Sequence, residues 1–245
     1  LFGELLLAAA DAEIFCQRRG SSVGGCAASA SSGAFELAMN CDGIAPFYVW
    51  IERAAFGKRL ERHRLAFLER AAGARRALVL GDGDGRFVAE LAARYPELGI
   101  DCVELSARMV ALAKKRLGRK GQSVNLVQGD ALTVPLPCPY DIVYSHFFLD
   151  CFTAQRISVL AGRIAGVSGP GTRWVISDFR RAESGWRKAF TAVWIKTMYV
   201  FFGIVTGLEQ QELPDHHTAL KEHGFRLLEE RLSMAGLIVS ECWQR

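Results

Sequence analysis

The run Ala77-Leu78-Val79-Leu80-Gly81-Asp82-Gly83-Asp84-Gly85-Arg86-Phe87 decides the fold. A short apolar stretch is followed by glycines at alternate positions and then by an apolar-periodic segment reaching Tyr95. That order predicts a buried strand, a tight turn and a helix. Glycine lacks a Cβ, so the turn can bend sharply or let a ligand come close to backbone. The helix behind it aims unpaired N–H groups and a partial positive charge back at the turn. Glu104 ends the next apolar run, about 20 residues on, where a carboxylate meets a ribose diol in nucleotide-binding sheets.

The alternation continues toward the C-terminus. A helix over about 85–95 stops at Pro96, and 99–104 forms a second strand. Ser106 suits the N-cap of a helix over 107–117, whose last turn holds Lys114, Lys115 and Arg116, where cations suit the dipole. A third strand over 123–128 runs into Gly129-Asp130-Ala131; Pro135, Pro137 and Pro139 bound a loop, and a fourth strand over 140–146 ends on Ser145 and His146. Strands alternating with helices imply an α/β fold with a doubly wound, mostly parallel sheet, and ligands bind such sheets at the strands' carboxyl ends. Gly81 to Gly85, Glu104, Asp130 and His146 all fall at those ends. Their gathering on one edge says more than any one motif. Asp141 starts its strand, on the opposite edge, and reads as structural.

Beyond the fourth strand, Thr153 caps a helix to about Ala165, and Thr172 to Ser177 form a fifth strand with Asp178 at its carboxyl end. His146 and Asp178 are the candidate bases. A buried, hydrogen-bonded histidine is the other account of His146. The segment 186–205 is the most apolar of the chain but carries Arg187, Lys188 and Lys196, which argues against a membrane span. It reads as a core helix, or as a lipophilic cover over a substrate pocket or a face touching a membrane. Asp215 precedes a helix from His216 to about His223; adjacent histidines point apart on a helix, so no metal site is expected there. Gly224 ends that helix, and 225–232 with 237–242 form a closing hairpin.

Toward the N-terminus, 42–74 reads as a helical leader. Leu60, Leu65 and Leu68 form an apolar stripe, with Arg53, Lys58, Arg59, Arg62 and Arg64 on a solvated face. Tyr48 and Trp50 form a lid over a ligand or anchor the leader in the core. Residues 21–32 are rich in Gly, Ser and Ala. The stretch 1–40 is expected to lie outside the fold, with Met39 as a natural start, or to contribute a docked helix over 2–17.

The chain has 245 residues, half of them apolar and 23% charged, enough for one globular domain plus an appendage. A net charge of +4 is too mild to argue for nucleic acid. Seven cysteines, an odd number without a C-x-x-C pair, favour reduced thiols and a cytoplasmic setting.

The sequence resembles the class I S-adenosylmethionine-dependent methyltransferases, in particular the ubiquinone and menaquinone methyltransferases. Gly81-Asp82-Gly83-Asp84-Gly85 is similar to their cofactor turn, Val103-Glu104-Leu105-Ser106-Ala107-Arg108-Met109 to their ribose-binding strand end, Gly129-Asp130-Ala131 to their adenine-contacting step, and Tyr140-Asp141-Ile142-Val143 to their fourth strand. Ile44-Ala45-Pro46-Phe47-Tyr48 looks like their leader. The resemblance covers about 42–245. It implies a seven-stranded Rossmann-like sheet with a C-terminal antiparallel hairpin, S-adenosyl-L-methionine as cofactor and a small acceptor. The implied cofactor residues are Gly81, Asp82, Gly83, Gly85, Glu104, Leu105, Asp130, Ala131, Ser145 and Tyr48. Val79 stands where the family usually has an acid, which leaves Asp82 to meet the cofactor's amino group, and Val49 stands where it often has Asp.

Two other readings compete. A nicotinamide-dependent oxidoreductase expects glycine in the third place of G-x-G-x-x-G, where Arg86 stands. A non-catalytic scaffold of the same fold accommodates Val79. The Asn-Pro-Pro-Tyr-type and Pro-Cys motifs of base-modifying methyltransferases do not occur in the sequence.

Overall fold

The computed structural model describes residues 56–118, 123–137, 139–206 and 213–245, with backbone alone from 198 to 206. The expected extension 1–40, Tyr48, Trp50 and the first part of the leader lie outside the described residues.

In chain order the main elements are α1 (Arg59–Arg64), β1 (Arg76–Leu80), α2 (Arg86–Arg94), β2 (Gly99–Glu104), α3 (Ala107–Leu117), β3 (Val124–Gln128), β4 (Tyr140–His146), α4 (Ala154–Gly166), β5 (Ser168–Phe179), α5 (Gly185–Thr206), α6 (His216–Glu222), β6 (Arg226–Ser233) and β7 (Ile238–Gln244). The strands form one seven-stranded sheet in the order β3-β2-β1-β4-β5-β7-β6. The first five pair in parallel, and β7 lies antiparallel between β5 and β6. Strand order reverses between β1 and β2 on one side and β4 on the other, which opens a crevice at their carboxyl ends.

The residues of β1 explain its central place. Ala77 to Leu80 are all buried, as a parallel strand covered on both faces requires. Leu78 and Leu80 pack into a layer with Leu160, Ile164, Trp174 and Trp243. Ala77 and Val79 pack on the opposite face with Phe67, Phe87 and Leu91. Val79, at the position where the family usually has an acid, is therefore a core residue.

The leader differs from its expectation. Instead of one helix to about Ala72, the described part holds α1 and a short 3-10 turn, Leu68–Ala71. His63 explains the break. It is buried, and its two ring nitrogens sit 2.7 Å from the hydroxyls of Ser240 and Ser233. The Ser177 hydroxyl donates to the His63 carbonyl at 2.9 Å. With His63 fixed against β7, the chain leaves helical geometry so that Phe67 can enter the core, where it is fully buried. The fifth strand begins earlier than expected, at Ser168, through an irregular pairing between Tyr140 and Ile142 of β4.

The apolar helix expected over about 184–206 is present as α5. Its Trp194 and Ile195 pack with Phe56, Phe179 and Leu237. Trp186 and Val193 are exposed. Among the described residues no helix is long and apolar enough to cross a membrane.

Candidate active site

Gly81, Gly83 and Gly85 all have positive φ, at 66°, 65° and 80°. Their surroundings differ. A Cβ on Gly81 would run into the ring of Phe148, and one on Gly85 would meet Cβ and Cα of Ala113 at 2.7 and 2.8 Å. The first and third glycines therefore serve close packing within the chain. At Gly83 the nearest atom to such a Cβ is Sδ of Met109, 3.9 Å away. The middle of the turn is the open part.

Glu104 faces that opening. The Gly83 N–H donates to its Oε2 and the Ser106 N–H to its Oε1, each at 3.0 Å. Two amides from different elements fix the carboxylate's direction. Leu105, next in the chain, is 41% exposed and lays apolar surface beside it.

Asp82 is engaged differently from the expectation that it meets a cofactor amine. Its oxygens accept the N–H groups of Phe87 at 3.2 Å and Val88 at 2.8 Å. The N-cap of α2 is Gly85, which has no side chain to offer, so Asp82 caps the helix from the preceding strand end. Burial pushes its pKa up to about 7, opposed by the Val88 amide and the charge of Arg64. Asp84 is buried and ion-paired to Arg86 at 2.9 Å and Arg116 at 2.6 Å, which ties α2 to α3. Asp130 accepts the Leu132 N–H at 2.9 Å and lies 3.6 Å from Arg156, while Ala131 is buried behind it. Asp141 accepts the N–H groups of Arg75 and Arg76 on the other edge, as its position predicts.

The ends of β4 and β5 carry a second set of groups. Ser145 turns inward: the Trp174 indole N–H donates to its hydroxyl at 2.9 Å, so the side chain belongs to the core and its backbone alone is left to face the crevice. His146 lies on the other face, with 6% of its surface exposed. Its ring meets Phe87 edge-on, with centroids 4.5 Å apart. Among the described residues, neither imidazole nitrogen has a hydrogen-bond partner. Burial, followed by the nearby charge of Arg64, pushes its pKa down to about 3, so the ring is neutral at ordinary pH.

Phe147 follows with φ of 53°, a left-handed conformation that costs a bulky residue about 1–2 kcal/mol. Its N–H donates to the Ser177 carbonyl at 2.6 Å. The twist precedes the residue whose ring rests on Gly81, Phe148.

Asp178 is buried and has a carboxylate neighbour that sequence reasoning passed over. It accepts the N–H groups of Asp150 at 3.1 Å and Phe179 at 2.8 Å, and the Asp150 side chain accepts the Cys151 thiol at 3.4 Å. Burial first, then the like charge of Asp150, raises the pKa of Asp178 well above the usual range. Burial pushes that of Asp150 up to about 6. Burial and the like charge of Asp150 both favour a protonated Asp178.

His216 and His217 correct another expectation. They do not diverge: the Nε2 atoms lie 2.9 and 2.7 Å from the two oxygens of Glu241, which is fully buried on β7. Their ring centroids are 4.8 Å apart. Both stand in the first turn of α6, and side-chain torsions carry the two rings around one carboxylate that protrudes from the sheet. No local pattern signals this, since Glu241 comes 24 residues after His217.

A family model described as a methyltransferase domain matches residues 77–171, from β1 into the start of β5. The demethylmenaquinone methyltransferase of Deinococcus radiodurans is 33% identical over 145 residues, which cover 58% of this chain and 59% of that protein. The chain thus spans about three fifths of that relative's length. The demethylmenaquinone methyltransferase of Thermus thermophilus is 27% identical over 163 residues, 65% of this chain and 73% of that protein. Among solved structures, PigF with SAH superposes with a TM-score of 0.62 at 20% identity, over 84% of this chain and 60% of that one. The matched segment contains the glycine turn, Glu104, Asp130 and His146, and the sheet built around it matches that of the structural neighbours. Residues 77–171 thus match a methyltransferase-domain model, and the fold around them is similar to that of the superposed solved structure.

Proposed function

We propose that the chain moves a methyl group from S-adenosyl-L-methionine to a small, lipophilic acceptor. The observation that carries this reading is the Glu104 carboxylate, held by two amides at the open middle of the glycine turn. The residues fit the cofactor. Backbone at Gly81, Gly83 and Gly85 lines its amino-acid portion, and Asp82 supports that turn as a cap. Glu104 accepts the ribose hydroxyls, two charge-assisted bonds of about 1.5–3 kcal/mol each. Leu105, Asp130 and Ala131 hold the adenine, with Ser145 contributing backbone. Tyr48, outside the described residues, keeps its assignment as part of a lid.

The cofactor supplies a methyl group already activated by its sulfonium. The chain then has to align an acceptor and exclude water, and alignment alone can lower a barrier by roughly 7–11 kcal/mol. His146 is a neutral ring with unused nitrogens beside the crevice, suited to accept a hydrogen bond from an acceptor hydroxyl. Asp150 and Asp178 hold or take up a proton on the neighbouring strand end. The names of the two relatives point to a quinone ring with an apolar tail, and the aromatic side of α5 near Phe179 suits such an acceptor.

Titration calorimetry with S-adenosylhomocysteine tests the cofactor half. One site per chain, weakened by Glu104→Gln, is the expected result. No heat and no thermal protection at millimolar ligand would remove the reading. A radiolabelled methyl assay against demethylated quinones and simple phenols tests the acceptor half.

A further inference from the structure

The cluster of His216, His217 and Glu241 lies outside the cofactor crevice, and neither the methyl-transfer reading nor the domain match accounts for it. From its geometry we infer that it is a binding site for a divalent transition metal, of the zinc class, that pins α6 to the sheet. Each of the three residues offers one ligand atom, and those atoms all lie within 4.8 Å of one another. Ligands about 2.0–2.2 Å from a common zinc stand roughly 3.3 Å apart, so small rotations of the rings bring both Nε2 atoms and one carboxylate oxygen to that spacing. Two imidazoles and a carboxylate form a donor set suited to zinc rather than to calcium or magnesium, which prefer all-oxygen shells.

Three further features support this. The Glu241 carboxylate has no exposed surface, and an ion beside it would neutralise a charge that is otherwise expensive to bury. The Trp243 indole N–H donates to Glu241 Oε2 at 2.8 Å, an outer contact of the sort that orients a ligating carboxylate. The His217 side chain is 30% exposed, against 9% for His216, which gives an ion a way in and leaves a place for water as a fourth ligand. A metal here would join the start of α6 to the middle of β7. That is a structural link, independent of whether the crevice binds S-adenosylmethionine.

The test uses the full chain, stripped with a chelator and titrated with Co²⁺ as a spectroscopic substitute. The expected result is one equivalent of Co²⁺ per chain, with visible d–d bands and no thiolate charge-transfer band, displaced by Zn²⁺. His217→Gln, at the half-exposed position, should weaken Co²⁺ binding at least tenfold while leaving the circular dichroism spectrum unchanged. Glu241→Gln should abolish binding; if that variant does not fold, His217→Gln decides. Absence of d–d bands overturns the proposal and leaves a hydrogen-bonded triad held by a proton. So does binding undiminished in His217→Gln, or a thiolate band, which would put the ion on the cysteines.

Discussion

The two halves of the crevice treat their polar groups in opposite ways. Around the glycine turn every carboxylate is engaged: Asp82 caps α2, Asp84 ties α2 to α3, Glu104 bridges two backbone amides, and Asp130 closes a turn. Across β4 and β5 the pattern reverses. His146 is buried, with no partner for its nitrogens among the described residues, Phe147 is strained, and the buried carboxyl of Asp178 feels the like charge of Asp150. The first half is held in place by the chain's own hydrogen bonds, the kind of preorganisation that the proposed cofactor site calls for. The second holds a buried ring whose nitrogens have no partner among the described residues and a strained backbone turn, and such groups are where function is to be sought.

The largest way to break this contrast is at His146. Phe in its place should slow methyl transfer roughly 10²–10⁴-fold if the ring takes part in proton handling. The same change should stabilise the fold by about 1–3 kcal/mol, because a buried unpaired polar group is gone. Single-turnover rates and urea unfolding measure the two, and a fast, unchanged rate would make His146 a packing residue. Next comes Glu104→Ala, expected to weaken S-adenosylhomocysteine roughly a hundredfold or more, since two charge-assisted contacts and the anchor of the turn go together. Calorimetry reads this directly. An affinity within about threefold of wild type would mean the cofactor half is not organised around that carboxylate.

Gly85→Ala sharpens the contrast from the side of stability. A left-handed residue forced against Ala113 should cost about 2–4 kcal/mol. Gly81→Ala should be partly relieved by Phe148→Leu, because its obstacle is a side chain and not backbone. Denaturation midpoints of the single and double variants separate the two cases. The smallest effect concerns pH. A carboxyl with a raised pKa in the folded protein binds its proton more tightly there than in the unfolded chain. Its stabilising share is complete below the unfolded value of 3.8 and is lost as pH rises through the folded value, about 6 for Asp150. The melting temperature should therefore fall between about pH 4 and pH 6, and Asp150→Asn should flatten that fall. Parallel curves for the two proteins would mean that Asp150 does not hold its proton in that range.

What could be read from the sequence was local. The glycines, Glu104 and the strand-helix alternation each depend on neighbours a few residues away, and Asp141 was placed by its position at the start of a strand. The N-caps Ser106 and Thr153 appear where their side chains predicted them. What escaped depends on distant partners. His63 carries no signal of its own in the sequence, and its role appears once Ser233 and Ser240 enclose it. Asp150 becomes notable when β5 sets Asp178 against it, and the histidine pair looks divergent until Glu241 arrives from β7. Asp82 is placed at the turn by its sequence position, and its bonds to the Phe87 and Val88 amides appear once α2 is built.

The placement of β7 between β5 and β6 bears on how the molecule is made. Strands one to five can assemble as they leave the ribosome, but the free edge of β5 finds its partner when residues 238–244 emerge. Until then an apolar strand stands open, its amides unpaired along one side, and any neighbouring chain can pair with it. His63 waits for the same event, since Ser240 comes 177 residues after it. A nascent chain arrested before β7 should therefore be the most aggregation-prone species of this protein, and a holding chaperone would be needed most at that length.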